Sequence, residues 1–418
     1  MKRICSSKIN GTLDAPPSKS VMIRTVAASL LASGESVIKN PSFCSDGLSA
    51  LGIADRLGAE IYTETDRVTI TGNGSLKERI IKGNVLDCRE SGLCMRMFAP
   101  VAGLLEEDIT LQAAGSLCSR PMGMVEELAG LGATCITDEG YAPVQVKGRI
   151  RSGQIGISCS ESSQFLTGLL MALPLCEGDS VVMVSGLKSS PYIALTINIM
   201  KRFGVTVLTG KDLTEFRIKG DQRYKPGTHS IEGDWSGAAF FLVAGALAGV
   251  VEVRGLNLDS YQADKAVIGA LMKAGAHIEI GKDYISVMKD ELNAFEFDAS
   301  DCPDLFPPLV ALGAGCTGKS VIHGARRLKG KESDRALALA SEFCKLGIRI
   351  RVFENSMEID GGNNRGGIVD SHNDHRIAMA CAVAALGGEG DVEIENSECV
   401  SKSYPSFFET LDSVKVTR

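Results

Sequence analysis

Apolar residues are distributed along the chain in two alternating kinds of stretch. One kind is apolar nearly all round, as in Ala238-Ala239-Phe240-Phe241-Leu242-Val243-Ala244. Such a stretch predicts a helix buried on every side. The other kind repeats every 3.6 residues and stops at a glycine, which predicts an amphipathic helix with a left-handed C-terminal cap. Short β-branched runs follow each glycine and predict strands. The pattern recurs. Gly58, Gly132, Gly204, Gly275 and Gly347 stand at one phase of it, at spacings of 74, 72, 71 and 72 residues. Fully apolar helices are expected to begin near Ser20, Ser91, Ser163, Ser236, Asp304 and Asp374. An amphipathic helix is expected over Arg120 to Leu131, with strands over 108–112, 133–137 and 144–147.

A period this regular implies stacked copies of one supersecondary unit. The expected fold class is α/β of the α+β type, with six pseudo-repeats of about 72 residues. One further step from Gly347 passes the end of the chain at Arg418. A sixth copy can therefore close only if the N-terminal strand completes it, which predicts adjacent termini. Three units per lobe place a break near Lys225-Pro226-Gly227 and a second crossing near Ala15-Pro16-Pro17. The expected lobes are 1–15 with 232–418, and 16–231, with an active site in the cleft between them.

The chain has 418 residues, enough for two large cores. Its longest uncharged apolar stretch, Gly237 to Val251, is too short and too rich in glycine to span a bilayer. Its net charge of −7 argues against nucleic acid as a partner. Thirteen cysteines without a C-x-x-C pair suggest neither a disulfide frame nor a zinc site. The N-terminus lacks the apolar core of a signal peptide, so a cytoplasmic location is expected. Gly313-Ala314-Gly315-Cys316-Thr317-Gly318-Lys319-Ser320 matches the P-loop pattern letter for letter. A working P-loop lies between a strand and a following helix. Here the expected order is helix, then strand, so a nucleotide site is not expected.

The unusual polar residues gather at expected helix starts. Ser, Asp and Asn there are ordinary N-caps, and Ser45, Asp234 and Asp264 need no further reading. Cations are different, because the helix dipole is positive at that end. Lys19, Arg120, Lys331, Arg335, Arg376 and Lys402 are all expected within about a turn of a helix start. Each such placement costs on the order of 0.3–1 kcal/mol without an anion. Helix N-termini and arginine forks together receive phosphate and carboxylate. Asp46, Asp304, Glu332 and Asp374 fall among these cations and are candidates for proton transfer. The residues therefore point to an enzyme acting on small, multiply anionic substrates without a metal. Cations facing each other across an empty cleft are expected to hold the unliganded lobes apart.

In order along the chain stand Pro17-Ser18-Lys19-Ser20 with Arg24, Gly115-Ser116-Leu117 before Arg120-Pro121-Met122, Ser162-Ser163-Gln164, Ser189-Ser190-Pro191-Tyr192, Glu232-Gly233-Asp234, Pro303-Asp304, Lys331-Glu332-Ser333-Asp334-Arg335, Asn373-Asp374-His375-Arg376 and Lys402. This series resembles the 3-phosphoshikimate 1-carboxyvinyltransferase (EPSP synthase) family over its full length. The resemblance implies two lobes of three βαβαββ units. It implies transfer of the enolpyruvyl group of phosphoenolpyruvate to the 5-hydroxyl of shikimate 3-phosphate, through a tetrahedral intermediate, in chorismate and aromatic amino-acid biosynthesis. Lys19, Ser20, Arg24, Ser162, Ser163, Gln164, Ser189, Tyr192, Asp304 and Lys331 would hold shikimate 3-phosphate. Lys19, Gly92, Arg120, Gln164, Arg335, Arg376 and Lys402 would hold phosphoenolpyruvate. Asp304 would be the base at the 5-hydroxyl, and Glu332 would give a proton to the methylene carbon and take one back, with Lys19 and His375 assisting. The implied protein is a cytoplasmic monomer without cofactor or metal, with no nucleic-acid or membrane partner.

Glu90-Ser91-Gly92-Leu93 replaces the family's usual Asn-Ala-Gly-Thr run, Met97 replaces a common Pro, and Arg327 replaces an Asn seen in some members. A non-catalytic anion-binding module, which would not need Asp304 and Glu332 beside the cations, is one alternative, and the sister enzyme acting on UDP-N-acetylglucosamine is the nearest. It carries a loop Cys several residues before the loop Arg, whereas Cys118 lies two before Arg120.

Overall fold

The computed structural model describes residues 1–74 and 81–416, so the last two residues of the expected C-terminal segment, 417 and 418, lie outside it. The chain divides into two compact units, one of Met1–Pro16 with Glu232–Arg418 and one of Pro17–Ile231. Eleven α-helices are present among the described residues: α1 (Lys19–Leu31), α2 (Ser45–Arg56), α3 (Gly92–Ala102), α4 (Gln164–Ala172), α5 (Ser190–Arg202), α6 (Trp235–Ala248), α7 (Val267–Ala274), α8 (Phe306–Ala314), α9 (Arg335–Lys345), α10 (His375–Leu386) and α11 (Phe407–Ser413).

The repeat is visible in the sheets. Three lie in each unit among the described residues, and each begins with a parallel pair and continues antiparallel. In one, Val85–Asp87 runs parallel to Ile109–Gln112, which is followed across the sheet by Tyr141–Lys147 and Thr134–Asp138. The first sheet of each unit borrows its opening strand. Thr228–Ser230 runs parallel to Ser33–Lys39, and Ile9–Asp14 runs parallel to Gly249–Arg254. The unit of residues 17–231 therefore continues past the Lys225-Pro226-Gly227 turn to Ile231. Pro16 stays with the other unit, where its carbonyl accepts from the Asp234 N–H at 2.7 Å. The last sheet is filled from the N-terminus, where Lys2–Ile4 pairs antiparallel with Val392–Glu395. Ile9 bridges Lys415, and Lys2 meets Asp412 at 2.9 Å.

Each unit is built around three buried helices. In α3, α6 and α10 every residue is buried. Helices α6, α8 and α10 pack on one another in one unit, and α3 packs on α4 in the other. The amphipathic helices lie outside them. Burying such helices on all sides is the main apolar contribution, at roughly 25 cal/mol per Å² of apolar surface. The periodic glycines share one backbone state: Gly58, Gly132, Gly204, Gly275 and Gly347 have φ between 80° and 93°. After four of them the next residue donates back to the last helical turn, as Ile348 does to the Phe343 carbonyl at 2.9 Å. This is the Schellman closure, in which a Cβ would be strained.

Two local expectations differ. The segment 120–131 is not an α-helix but a pair of 3₁₀ helices, Gly115–Ser119 and Gly123–Leu131, with Arg120-Pro121-Met122 between them. Pro121 removes an N–H and turns Arg120 extended (φ −92°, ψ 136°). The P-loop-like segment joins the end of α8 to the strand Lys319–His323, and Lys319 pairs with Glu358 at 3.3 Å.

Candidate active site

In the unit of residues 17–231 the named residues sit at the starts of α1, α3, α4 and α5. Ser18 caps α1 by accepting from the Val21 N–H, and Ser91 caps α3 through Cys94. Capping therefore explains these serines, and it leaves the first-turn Lys19 and Gly92 at the helix ends. Lys19 Nζ lies 3.0 Å from the Asp46 carboxylate. Arg24, 2% exposed, donates to the Ser20 carbonyl and the Thr196 hydroxyl, both at 2.9 Å. Its guanidinium lies 5.8 Å from the Tyr192 ring centre. Burial pulls the Arg24 pKa down to about 10, and Tyr192 opposes the shift. Ser162 accepts from the Gln164 N–H, and the Gln164 side-chain oxygen accepts from Arg96 at 2.8 Å. Ser163 and Ser189 are buried, and Ser189 adopts a left-handed conformation (φ 54°). Strain of that kind in a non-glycine residue concentrates at working sites.

Gly92 and Arg120 form a close approach. A Cβ on Gly92 would stand 2.9–3.1 Å from three atoms of the Arg120 guanidinium. Only glycine leaves that guanidinium where it is. Nearby, Glu90 accepts from the Ser116 hydroxyl at 2.8 Å and from its N–H at 3.4 Å.

The other unit holds a denser charge cluster. Arg335, the first residue of α9, is 1% exposed and meets three carboxylates. Its Nε donates to Asp374 at 2.8 Å, one Nη to Asp304 at 2.8 Å, and the other to Glu332 at 2.7 Å and to Asp374 at 3.3 Å. Arg376 donates to the other Asp304 oxygen at 2.9 Å. Lys331 lies 3.9 Å from Asp304, and Lys402 lies 3.4 Å from Glu332. Asp374 caps α10, accepting from the Arg376 N–H at 3.0 Å, and also accepts from Ser333 at 3.1 Å. His375, 1% exposed, lies 3.8 Å from Asp374.

These charges set one another's protonation. Burial works to raise the Asp304 pKa, but Arg376, Lys331 and Arg335 outweigh it and hold the carboxyl well below its usual range. Burial lowers Lys331 to about 8, with Asp304 pulling the other way. Behind them Asp264 accepts a short hydrogen bond from Ser236. Burial, and then the charge of Asp304, push its carboxyl up to about 6, against Arg376.

Three of the six cations expected in a first helical turn are there: Lys19, Arg335 and Arg376. The other three are not. Arg120 follows a 3₁₀ turn, Lys331 lies in the loop before α9, and Lys402 ends the 3₁₀ turn Ser397–Lys402. Short turns carry little macrodipole, and Lys331 and Lys402 stand instead beside the carboxylates of Asp304 and Glu332. Ser45 is the first residue of α2 and Cys44 is its cap, without a side-chain bond. Asp234 does cap α6, accepting from the Gly237 N–H at 2.8 Å. Sequence reasoning gave no role to Arg96, Thr196 or Ser333. Thr196 had a signal, being one helical turn after Tyr192 on the same face.

Two α/β units of threefold repeats, carrying buried cations and a carboxylate cluster, define a class of protein that handles small polyanions by acid–base chemistry. The model of EPSP synthase (3-phosphoshikimate 1-carboxyvinyltransferase) matches residues 5–411. A 3-phosphoshikimate 1-carboxyvinyltransferase of Clostridium novyi is 38% identical over 99% of this chain and 97% of its own. One of Thermococcus kodakarensis is 40% identical over 97% of each. The structure of EPSP synthase from Acinetobacter baumannii matches at a TM-score of 0.83, with 25% identity, covering 99% of this chain and 98% of that one. The chain belongs to the EPSP synthase family.

Proposed function

We propose that this protein transfers the 1-carboxyvinyl group of phosphoenolpyruvate to the 5-hydroxyl of shikimate 3-phosphate and releases phosphate, a step towards chorismate and the aromatic amino acids. The family membership carries the reaction. The observation that carries its chemistry is the cluster of Arg335 with Asp304, Glu332 and Asp374. Shikimate 3-phosphate is assigned to Ser20, Arg24, Ser162, Ser163, Gln164, Ser189, Tyr192, Asp304 and Lys331. Phosphoenolpyruvate is assigned to Gly92, Arg120, Gln164, Arg335, Arg376 and Lys402, and Lys19 serves both.

In the addition step the 5-hydroxyl oxygen bonds to C2 of the enol while C3 takes a proton. In the elimination step C3 loses a proton, the C2–O bond to phosphate breaks, and phosphate departs. Asp304 accepts the hydroxyl proton. Its basicity is quenched by Arg376, Lys331 and Arg335. Substrate anions compete for Arg376 and Lys331. As those cations turn to phosphate and carboxylate, Asp304 loses its compensation and becomes the stronger base. Base strength thus rises when the substrates are in place. Glu332 exchanges the C3 proton, with Lys402 and Arg335 holding its two oxygens. Fixed cations stabilise the charge gathering on the leaving phosphate. Lys19 and His375 assist there.

Among the described residues no helix is long and apolar enough to cross a membrane. A cytoplasmic monomer without nucleic-acid or membrane partner is part of the same proposal, and the net charge of −7 argues against the nucleic acid. The test is phosphate release by the purified protein. Release should require both substrates and persist in EDTA. Release with UDP-N-acetylglucosamine in place of shikimate 3-phosphate would overturn the assignment.

A further inference from the structure

We propose that Glu342 and His372, which touch neither assigned substrate set, are positioning residues: they set the turn that presents Asp374, His375 and Arg376. This inference rests on the carboxyvinyl-transfer reading above. Glu342 is 1% exposed and lies on α9, seven residues after Arg335. Seven residues are two helical turns, about 10.5 Å at 1.5 Å each, so both side chains leave the same side of the helix. Arg335 holds the Asp374 carboxylate. Glu342 holds the other end of the same turn. One oxygen accepts from the Asp370 N–H at 2.8 Å and from Lys345 at 2.7 Å, and the other meets His372 Nε2 at 2.9 Å. One rigid helix therefore grips residues 370–374 at both ends.

The turn between those grips is strained. His372 and Asn373 have φ of 53° and 54°, two consecutive non-glycine residues in the left-handed region. Such conformations persist only where the surroundings over-determine them. Here the Asp370 carboxylate accepts from the His372 N–H at 2.9 Å and from Asn396 at 3.0 Å. The Ser371 hydroxyl accepts from the Asn373 N–H at 3.2 Å and donates to the Asn396 carbonyl at 3.0 Å. The Ser371 carbonyl accepts from the Asp374 N–H at 2.9 Å. Burial alone would raise the Glu342 carboxyl, but Lys345, the Asp370 N–H and His372 bring it below its usual range, so it remains a charged anchor. Asp374 caps α10 and fixes the backbone of Arg376, whose side chain reaches Asp304. A small rotation of the turn would swing Arg376 off its target, and misplacement on the ångström scale is costly to a bound reaction geometry.

The experiment compares the full-length parent with Glu342→Gln and His372→Ala. The His372 side chain is 38% exposed, so its truncation keeps the test alive if Glu342→Gln does not fold. Phosphate release is measured with each substrate varied in turn, and amide hydrogen exchange is followed over 370–376. The expected result is a KM for phosphoenolpyruvate raised about tenfold. The KM for shikimate 3-phosphate should stay within about twofold, and exchange over 370–376 should speed up while α6 keeps its protection. A merely structural role would lower the active fraction and Tm and leave both KM values at the parent's, and that result overturns the proposal. Parent-like exchange in both variants overturns it too. A parent that releases no phosphate with both substrates sinks the reaction reading instead, and the exchange comparison still decides whether Glu342 and His372 hold the turn.

Discussion

In the unit of residues 17–231, Arg24 donates to a carbonyl and a hydroxyl, and Arg96 to an amide oxygen and the Pro121 carbonyl. In the unit of 1–16 and 232–418, Arg335 alone meets three carboxylates, and Arg376, Lys331 and Lys402 each face one of the same three. The Arg24 guanidinium is held by neutral oxygens and offers its charge to an anion, while Lys19 on the same side faces the Asp46 carboxylate. A cation already paired with a carboxylate accepts an anion only by exchange, and the exchange frees an acid–base group. The repeat supplies the same helix ends to both units. On the proposed assignment, the distribution of acids weights binding to one and proton transfer to the other.

The largest expected effect tests the proton-transfer side. Glu332→Gln keeps shape but cannot cycle a proton, so kcat should fall roughly 10²–10⁴-fold with KM values near the parent's. Single-turnover phosphate release checks it. A loss of affinity without loss of kcat would mean that Glu332 only braces Arg335.

Next comes a contrast between two arginines assigned to one ligand. Arg335→Ala would leave Asp374, 0% exposed, without its main counter-charge, and removing one member of a buried pair typically costs about 3–5 kcal/mol. Urea unfolding should show a loss of that order. Arg120→Ala should leave unfolding nearly unchanged and weaken phosphoenolpyruvate roughly tenfold to a hundredfold, since a charge-assisted bond is worth about 1.5–3 kcal/mol. Equal stability losses would erase the distinction between the units.

What the sequence disclosed, and what it withheld, follows the same division. The repeat was legible because the Schellman glycines and the buried helices impose it locally: Gly347 needs φ 88° whatever surrounds it. Lys19, Arg335 and Arg376 were legible because cations at helix starts are out of place without an anion, whereas Arg120, Lys331 and Lys402 carry the family motifs without beginning a helix. The 3₁₀ path around Arg120 was not legible, since the buried Val125, Leu128 and Leu131 recur every three residues, a spacing that one face of an α-helix also presents. Nor was the network of Arg335, which reaches residues up to 39 positions away and needs the tertiary fold to bring Asp374 to it. Glu342 gave no signal, because a glutamate on an amphipathic helix is expected in solvent.

A smaller effect concerns pH. Removal from water pulls Lys331 down to a pKa of about 8. As pH rises through about 8 it loses its proton and its attraction for the phosphate of shikimate 3-phosphate. For that substrate kcat/KM should therefore fall above pH 8, approaching tenfold per unit, while kcat, which reports the complex, changes less. Lys331→Arg stays charged and should flatten that limb. A limb that survives in Lys331→Arg would assign the titration elsewhere.

The smallest effect bears on the lysine outside this division altogether. Lys319 completes a perfect P-loop string, yet its side chain is 48% exposed and pairs with Glu358 across adjacent strands. The backbone beside it runs from α8 into a strand, so no helix N-terminus faces the turn. An anion there would meet the wrong end of a helix dipole. An exposed cross-strand pair is worth about 0–1 kcal/mol. Lys319→Ala should thus change kcat and both KM values by less than about twofold and shift Tm only slightly. A variant that loses activity at unchanged stability would give the turn a role in anion binding and break the assignment of that role to Lys19, Arg24 and Arg120.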